Sequence, residues 1–255
     1  MKSCSECWVS VTRIQNFLES PELITESLLD TTETVGEEDM KENKIIMSFS
    51  NVSYKWYENT VPTNNTMLYP NGLHGWCCET SQSNATALTD INLELREESL
   101  TCVIGTVGSG KTALLLALAG ELTESKGSID RRYSTLAYAA QDPWIMNGTV
   151  KENIVMGHLL FNVNLYQDIV DACGLAHDFE QFLDGEETIV GDRGVQCSGG
   201  QRARIGLARA LYRDADVVLL DDPLSAVDSK VGHRIFFSAI LDLAVKRGKC
   251  VVLGM

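Results

Sequence analysis

Hydrophobic and polar residues alternate in two stretches of the first hundred residues, and this period of two predicts β-strands. The first strand is expected to begin at Ile45. The second stretch, residues 88–104, separates apolar from charged side chains on opposite faces: Ile91, Leu93 and Leu95 against Glu94 and Arg96. Its last four residues form a short apolar run that leads directly into glycines. The pattern therefore predicts strands that end at a glycine-rich turn.

Helical patterns dominate the chain after this turn. Residues 113–122 and 198–213 are predicted to form helices, and residues 145–190 to mix helices with loops. Residues 217–220 are four consecutive apolar residues, which indicates a central strand covered on both faces. Strands that alternate with helices in this way are typical of an α/β fold.

Two polar segments interrupt the pattern. Residues 1–18 follow the spacing of a short amphipathic helix, and the acidic residues that follow, up to 44, indicate a solvated linker. Residues 58–86 show little periodicity and are rich in Asn, Thr, Gly, Pro and Ser. We expect them to form a long surface loop inserted between early strands of a domain spanning 45–255.

Composition and charge narrow the classes of protein. The 255 residues carry a formal net charge of −14, which disfavours a nucleic-acid partner because such proteins neutralise phosphates with basic residues. The eight cysteines are expected to be reduced thiols, since the C-x-x-C pair Cys4 and Cys7 has no second pair at zinc spacing. No run of about 18 uncharged apolar residues occurs. A membrane link is therefore expected through a partner or through further sequence.

The glycine-rich turn fits the phosphate-loop pattern G-x-x-x-x-G-K-[ST]. Its residues are Gly105, Thr106, Val107, Gly108, Ser109, Gly110, Lys111 and Thr112. Glycines allow backbone N–H groups to surround phosphate oxygens, and the following helix directs its positive end at them. In this pattern Lys111 reaches the β and γ phosphates and Thr112 binds Mg²⁺. The strand-loop-helix context makes a mere glycine-rich helix cap the weaker interpretation.

Two carboxylates follow the buried strand at residues 217–220. Ligands bind at the carboxyl ends of strands in open α/β sheets. We therefore expect Asp221 to hold Mg²⁺, and Asp222 to be the candidate catalytic carboxylate.

A third motif opens the helix at residues 198–213. Its residues are Cys197, Ser198, Gly199, Gly200 and Gln201. A serine hydroxyl and glycine amides at a helix N-terminus form a second cradle for phosphate. Simple N-capping by Ser198 is the alternative that the residues themselves leave open.

The order of these motifs resembles that of ATP-binding-cassette (ABC) ATPases. Phosphate loop, Gln141, Cys-Ser-Gly-Gly-Gln, strand with Asp221 and the loop Ser225-Ala226-Val227-Asp228 follow one another as in that family. Residues 191–228 are similar to the first nucleotide-binding domain of multidrug-resistance-associated exporters, subfamily C. Residues 10–18 resemble the segment that joins a membrane domain to it. The resemblance implies a P-loop NTPase (RecA-like) core with an antiparallel β subdomain and an inserted α-helical signature subdomain.

The resemblance also implies roles for single residues. Trp56 would stack on adenine, although a core tryptophan at a strand edge is an equal alternative. Gln141 would touch Mg²⁺ and take part in catalysis. The cradle at 197–201 would bind the γ phosphate of ATP held by a second nucleotide-binding domain in a head-to-tail dimer, with Asp228 at the interface. Asp192 would lie near the transmembrane domains.

Three features depart from the family pattern. Cys197 replaces the usual Leu, and Asp222 stands where strongly hydrolytic sites have Glu. The switch histidine expected after residues 250–253 does not follow them. The other histidines are expected to be surface residues: His74, His158, His177 and His233. The family comparison thus predicts that the C-terminal part of the domain is missing and that hydrolysis by this chain alone is weak.

The leading interpretation is the MgATP-binding motor domain of an exporter at the cytoplasmic face of a membrane, moving organic anions or drug-like solutes. The alternative is a module that binds ATP without hydrolysing it. A soluble ABC ATPase of translation or DNA repair is disfavoured, because neither a second cassette nor a coiled-coil insertion is present. A simple P-loop kinase has no use for the motif at 197–201.

Overall fold

The computed structural model describes residues 44–56, 86–157, 160–191 and 194–255. They belong to one compact unit, Glu42–Met255. The predicted N-terminal helix and acidic linker, up to residue 43, lie outside the described residues, as does most of the predicted loop at 58–86. The predicted loop is wrong at its last residue, because Thr86 already begins a strand.

One of the sheets is antiparallel and contains three strands. Strands β1 (Ile45–Lys55), β2 (Thr86–Arg96) and β4 (Thr123–Arg131) assemble in the order β2-β1-β4. Strand β1 is the middle strand, and buried side chains such as Met47 and Val52 recur along it. This sheet is the antiparallel β subdomain that the resemblance to ABC ATPases implies.

A parallel sheet forms the centre of the unit, in the order β3-β9-β8-β5. Its strands are β3 (Ser99–Val103), β5 (Leu136–Ala139), β8 (Val217–Asp221) and β9 (Cys250–Gly254). Side chains of β8 alternate between two hydrophobic cores, one on each face of the sheet. Because both faces are covered, the strand is apolar throughout, as its sequence predicts.

Helices cover this sheet. They are α1 (Lys111–Ala119), α2 (Val150–Val155), α3 (Val163–Ala172), α4 (Ala176–Gln181), α5 (Gly199–Tyr212), α6 (Ser229–Ile235) and a π-helical segment (Phe236–Ala244). Helix α1 packs with the antiparallel sheet on one face. Helices α3, α5 and the π-helical segment share the other face. None of the helices in the described ranges has the length and apolar content needed to span a bilayer.

The predicted helix at 113–122 is wrong at both ends. It begins earlier, at Lys111, because Gly110 is the N-cap residue. It stops at Ala119 because Gly120 adopts a left-handed conformation (φ 85°) and donates its N–H to Ala117 O, at 3.1 Å. This geometry ends a helix, and glycine adopts it at low cost.

The α-helical subdomain approaches the parallel sheet through close backbone packing. Short strands β6 (Gly148–Thr149) and β7 (Ile189–Val190) pair beside α2. On α5, a Cβ at Gly206 would collide with the ring of Pro143, which lies in the loop after β5. Because Gly206 has no side chain, α5 can pack directly on that loop.

Candidate functional site

The parallel strands end together at one edge of the sheet. In the strand register Val103 pairs with Gly254, and Gly254 with Asp221. Strand β5 ends at Ala139 beside them, two residues before Gln141. This edge therefore brings together the phosphate loop, the carboxylate of Asp221 and the predicted glutamine, as sequence reasoning expects for an open α/β sheet.

The phosphate loop has the conformation that its glycines predict. Gly108 and Gly110 have φ values of 82° and 95°, in the left-handed region that side chains disfavour. Residues 106–109 form a turn in which Ser109 N donates to Thr106 O at 3.1 Å. Among the described residues no side chain caps the start of α1 at Lys111. The first N–H groups of a helix lack intrahelical acceptors, so this end fits a phosphate group.

Lys111 folds back over the loop. Its Nζ donates to the carbonyl oxygens of Gly105 at 2.7 Å and of Thr106 at 3.0 Å. Phosphate oxygens can replace these neutral acceptors and form stronger, charge-assisted hydrogen bonds. Val107 and Thr112 are exposed on the same loop. The loop thus presents an ammonium group and unpaired helix N–H groups on one surface.

The two carboxylates occupy different environments. Asp221 is 3% exposed, and one of its oxygens, Oδ2, accepts a hydrogen bond from the Tyr138 hydroxyl at 3.2 Å. Asp222 is half-buried, with φ at 48°, and its N–H donates to Gly254 O at 3.0 Å. Its carbonyl oxygen accepts from Ser225 Oγ at 2.9 Å. The backbone of Asp222 is therefore fixed on both sides at the edge of the sheet.

The donor set at this edge fits Mg²⁺ together with nucleotide phosphates. Thr112 and Gln141 are exposed and supply a hydroxyl and an amide oxygen, while Asp221 supplies a carboxylate. Mg²⁺ prefers oxygen ligands and keeps waters and phosphate oxygens around one or two carboxylates. Within the described ranges no group of three or more His, Cys, Asp and Glu could hold a metal. The oxygen set at the sheet edge thus suits a phosphate-bound ion.

Ser198 caps helix α5 in a reciprocal arrangement. Its Oγ accepts from Gln201 N at 3.2 Å, and Gln201 Oε1 accepts from Ser198 N at 2.9 Å. Capping uses only the acceptor capacity of the hydroxyl, so its proton remains available to an anion. Capping and phosphate binding, which the sequence left as alternatives, are therefore compatible in this geometry.

The loop at 225–228 lies against the same motif. A Cβ at Gly200 would lie 3.0 Å from the carbonyl oxygen of Ala226, so only glycine permits this approach without a shift. Asp228 caps α6, with Oδ1 accepting from Lys230 N at 3.0 Å and Val231 N at 3.1 Å. The cradle and the predicted interface loop are thus neighbours.

Sequence reasoning missed an acidic residue behind the cradle. Asp178, on α4, is 4% exposed and accepts from Arg204 Nε at 2.9 Å and Nη2 at 2.7 Å. It also accepts from Gln201 Nε2 at 3.3 Å. An isolated Asp in a helix carries no sequence signal for a partner that is 26 residues away. The ion pair ties the capped end of α5 to α4.

The remaining predicted residues lie apart from these contacts. Trp56 follows β1 directly and is 46% exposed, which suits a stacking surface better than a core position. Cys197, the first residue of the cradle motif, is half-buried, and this burial raises the pKa of its thiol. His177 and His233 are exposed, as expected. His74, His158 and Asp192 lie outside the described residues.

Several known proteins are similar to this chain. Metal resistance protein YCF1 of Saccharomyces cerevisiae is 48% identical over 149 residues, 58% of this chain. ATP-binding cassette transporter abc2 of Schizosaccharomyces pombe is 38% identical over 205 residues, 80% of this chain. ATP-binding cassette sub-family C member 2 of Mus musculus is 42% identical over 166 residues, 65% of this chain. The matches span 10%, 14% and 11% of those proteins, so the chain corresponds to a small part of them.

The family model described as ABC transporter matches residues 88–225, more than half of the chain. The matched segment contains the phosphate loop, Gln141, the Ser198 cradle and the strand that ends at Asp221. The P-loop fold and the geometry of the sheet edge agree with that match, and the chain belongs to the ABC transporter family.

Proposed function

We propose that the chain is the ATP-binding motor domain of an exporter, coupling ATP binding and hydrolysis to transport of organic anions or drug-like solutes across a membrane. The observation that carries this proposal is the shared sheet edge, where the phosphate loop, Asp221 and Gln141 follow parallel strands that end in register. The similarity to ATP-binding cassette transporters supports transport as the process, and the export direction and the class of cargo follow from the resemblance to multidrug-resistance-associated exporters.

The chain's own residues divide the binding of ATP among them. Trp56 offers an exposed aromatic face to the adenine base, and Lys111 pairs with the β and γ phosphates. Thr112, Gln141 and Asp221 supply oxygen ligands for Mg²⁺. When bound, Mg²⁺ would be held by these oxygen groups and would supply positive charge that offsets the negative charge of the phosphates.

The second cradle implies a partner. Ser198 caps the N-terminus of α5, far along the chain from the phosphate loop at 105–112. Its hydroxyl retains a proton that it can donate to a phosphate group. The partner is a second nucleotide-binding domain in a head-to-tail dimer, in which each cradle completes the site of the other domain. Closure of this pair would drive transmembrane domains between two states, with the motor at the cytoplasmic face. Such coupling requires ATP to bind the closed state more tightly.

Hydrolysis is expected to be slow at this site. A general base must lie within hydrogen-bond distance of the attacking water, and Asp222 is one methylene shorter than glutamate. Its backbone is held by Gly254 O and Ser225 Oγ, which limits how far the carboxylate can move towards the water. Gln141 is the second residue assigned to catalysis, through its amide.

A complementation experiment tests the head-to-tail arrangement. Lys111→Ala removes the phosphate-loop cation, and Gly200→Asp fills the cradle with a charged side chain. Each variant alone can form no complete site in a pair of identical chains. A mixed pair regains one complete site, because the intact loop of one chain faces the intact cradle of the other.

We expect MgATP to induce association of the wild-type chain, measured by sedimentation velocity, and of the mixture, but of neither variant alone. The association of Gly200→Asp by itself at wild-type strength would contradict a role of the cradle. A mixture that stays monomeric while the wild type associates would contradict the head-to-tail exchange of sites.

A further inference from the structure

The hydroxyl of Tyr138 contacts the carboxylate that is assigned to Mg²⁺. Tyr138 lies on β5, whose residues pair in parallel with β8, and Tyr138 itself pairs with Leu219. Its Oη donates to Asp221 Oδ2 at 3.2 Å. Asp221 is 3% exposed, so little solvent is present to replace this donor. A buried carboxylate needs such partners to remain charged.

The two oxygens of Asp221 face opposite neighbours in the sheet. Oδ2 is held from the side of β5, by Tyr138. Oδ1 lies on the side of β9, where a Cβ placed on Gly254 would be 3.5 Å away. Strand β9 separates β8 from β3, the strand that leads into the phosphate loop. Among the described residues Oδ1 has no hydrogen-bond donor. Oδ2 is thus held on the β5 side, and Oδ1 lies on the side of β9, beyond which β3 leads into the phosphate loop.

We propose that Tyr138 is a positioning residue for Mg²⁺ binding: its hydroxyl fixes Oδ2 so that Oδ1 of Asp221 is presented to the ion. This inference rests on the proposed function, because it assumes that MgATP binds at the sheet edge. Hydrogen bonds from a neighbouring side chain orient carboxylate ligands in metal sites, and their loss typically weakens metal binding about 10- to 100-fold.

The phenol is suited to this task because it remains a neutral donor. Burial raises the pKa of Tyr138, and the charge of Asp221 and its hydrogen bond raise it further. A cationic donor in the same place would reduce the charge that the carboxylate offers to Mg²⁺.

The test is Tyr138→Phe, which removes one hydroxyl and keeps the ring. Tyr133→Phe is the matched control, because Tyr133 precedes β5 and so lies towards the opposite edge of the parallel sheet. Tyr138→Leu serves as a second variant that lacks the hydroxyl. Binding of a fluorescent ATP analogue to the full 255-residue chain is measured in EDTA and as a function of Mg²⁺ concentration, with the thermal midpoint of the unliganded protein recorded beside it.

We expect the Mg²⁺ concentration at half-maximal enhancement to rise about ten-fold in both Tyr138 variants and to stay unchanged in Tyr133→Phe. Binding in EDTA should not differ from that of the wild type. In an Asp221→Asn background, Tyr138→Phe should add nothing to the Mg²⁺ dependence, because the ligand that it positions is gone.

Two results would overturn the proposal. One is an unchanged Mg²⁺ curve in both Tyr138 variants, and the other is an equal loss of binding with and without Mg²⁺, which would indicate a purely structural role. Absence of any Mg²⁺-dependent binding by the wild type would instead contradict the proposed function itself, so the two failures are distinguishable.

Discussion

Replacement of Asp178 by Asn tests the ion pair behind the signature cradle. Asn has nearly the same shape but no charge, so Arg204 loses its counter-ion while the packing is kept. The side chains of Arg204 and Asp178 are 14% and 6% exposed, and the carboxylate accepts two guanidinium hydrogen bonds at 2.9 and 2.7 Å. Removing one partner of such a buried pair costs about 3–5 kcal/mol, because a charge remains without compensation.

The loss of stability should depend on the burial of the ion pair, and an exposed ion pair in the same protein provides the comparison. Lys246 and Asp242 also form an ion pair, but their side chains are 73% and 56% exposed. Exposed pairs one helical turn apart contribute about 0.3–0.5 kcal/mol. We therefore expect Asp178→Asn to lower the free energy of unfolding by at least several times the loss in Asp242→Asn.

The assay is urea unfolding followed by circular dichroism, with a double variant as the decisive comparison. Asp178→Asn combined with Arg204→Met removes both the pair and the uncompensated charge. We expect it to be more stable than Asp178→Asn alone. A loss of unfolding free energy below about 1 kcal/mol in Asp178→Asn would refute this reasoning. So would a double variant whose loss equals the sum of the losses in Asp178→Asn and in Arg204→Met.

Two further substitutions test other parts of the account. At Asp216, burial raises the pKa, but the N–H groups of Ser134 and Thr135, the Thr135 hydroxyl and Lys249 together lower it below its ordinary value. The lowered pKa of Asp216 therefore stabilises the folded state above the ordinary pKa, and this stabilisation is lost as pH falls. The unfolding free energies of the wild type and of Asp216→Asn should converge below about pH 4. A difference between them that is independent of pH would contradict this. Asp222→Glu should raise phosphate release at saturating MgATP and cost up to about 1–2 kcal/mol of stability, because the φ of 48° at this residue disfavours Glu more than Asp; unchanged release would remove Asp222 from catalysis.

Local patterns in the sequence predict the parts of the fold that depend on local chemistry. Strand β8 is apolar throughout and both its faces are buried, so its pattern identifies it. The phosphate loop needs glycines at fixed positions, and the spacing of the glycines in the sequence motif therefore predicts it. Strand β4 escapes prediction because its residues are mostly polar and exposed, and it is ordered by pairing with β1.

Contacts between distant residues could not be predicted in the same way. Tyr138 and Asp221 are 83 positions apart and meet only because β5 and β8 are neighbours in the sheet. No strand is predicted from the sequence at β5, and a local pattern could not show that β5 lies beside β8. The close approach of Gly206 to Pro143 likewise depends on how α5 packs on the loop after β5.

Binding of MgATP by the purified 255-residue chain, compared with Lys111→Ala, tests the central claim most directly. The wild type should bind, and Lys111→Ala should bind about ten- to a hundred-fold more weakly, since a hydrogen bond to a charged group contributes about 1.5–3 kcal/mol. Lys126→Ala is the control, because that lysine is exposed and pairs only loosely with Asp90, at 3.6 Å. Equal affinity in wild type and Lys111→Ala would contradict the assignment of residues 105–112 as the ATP site.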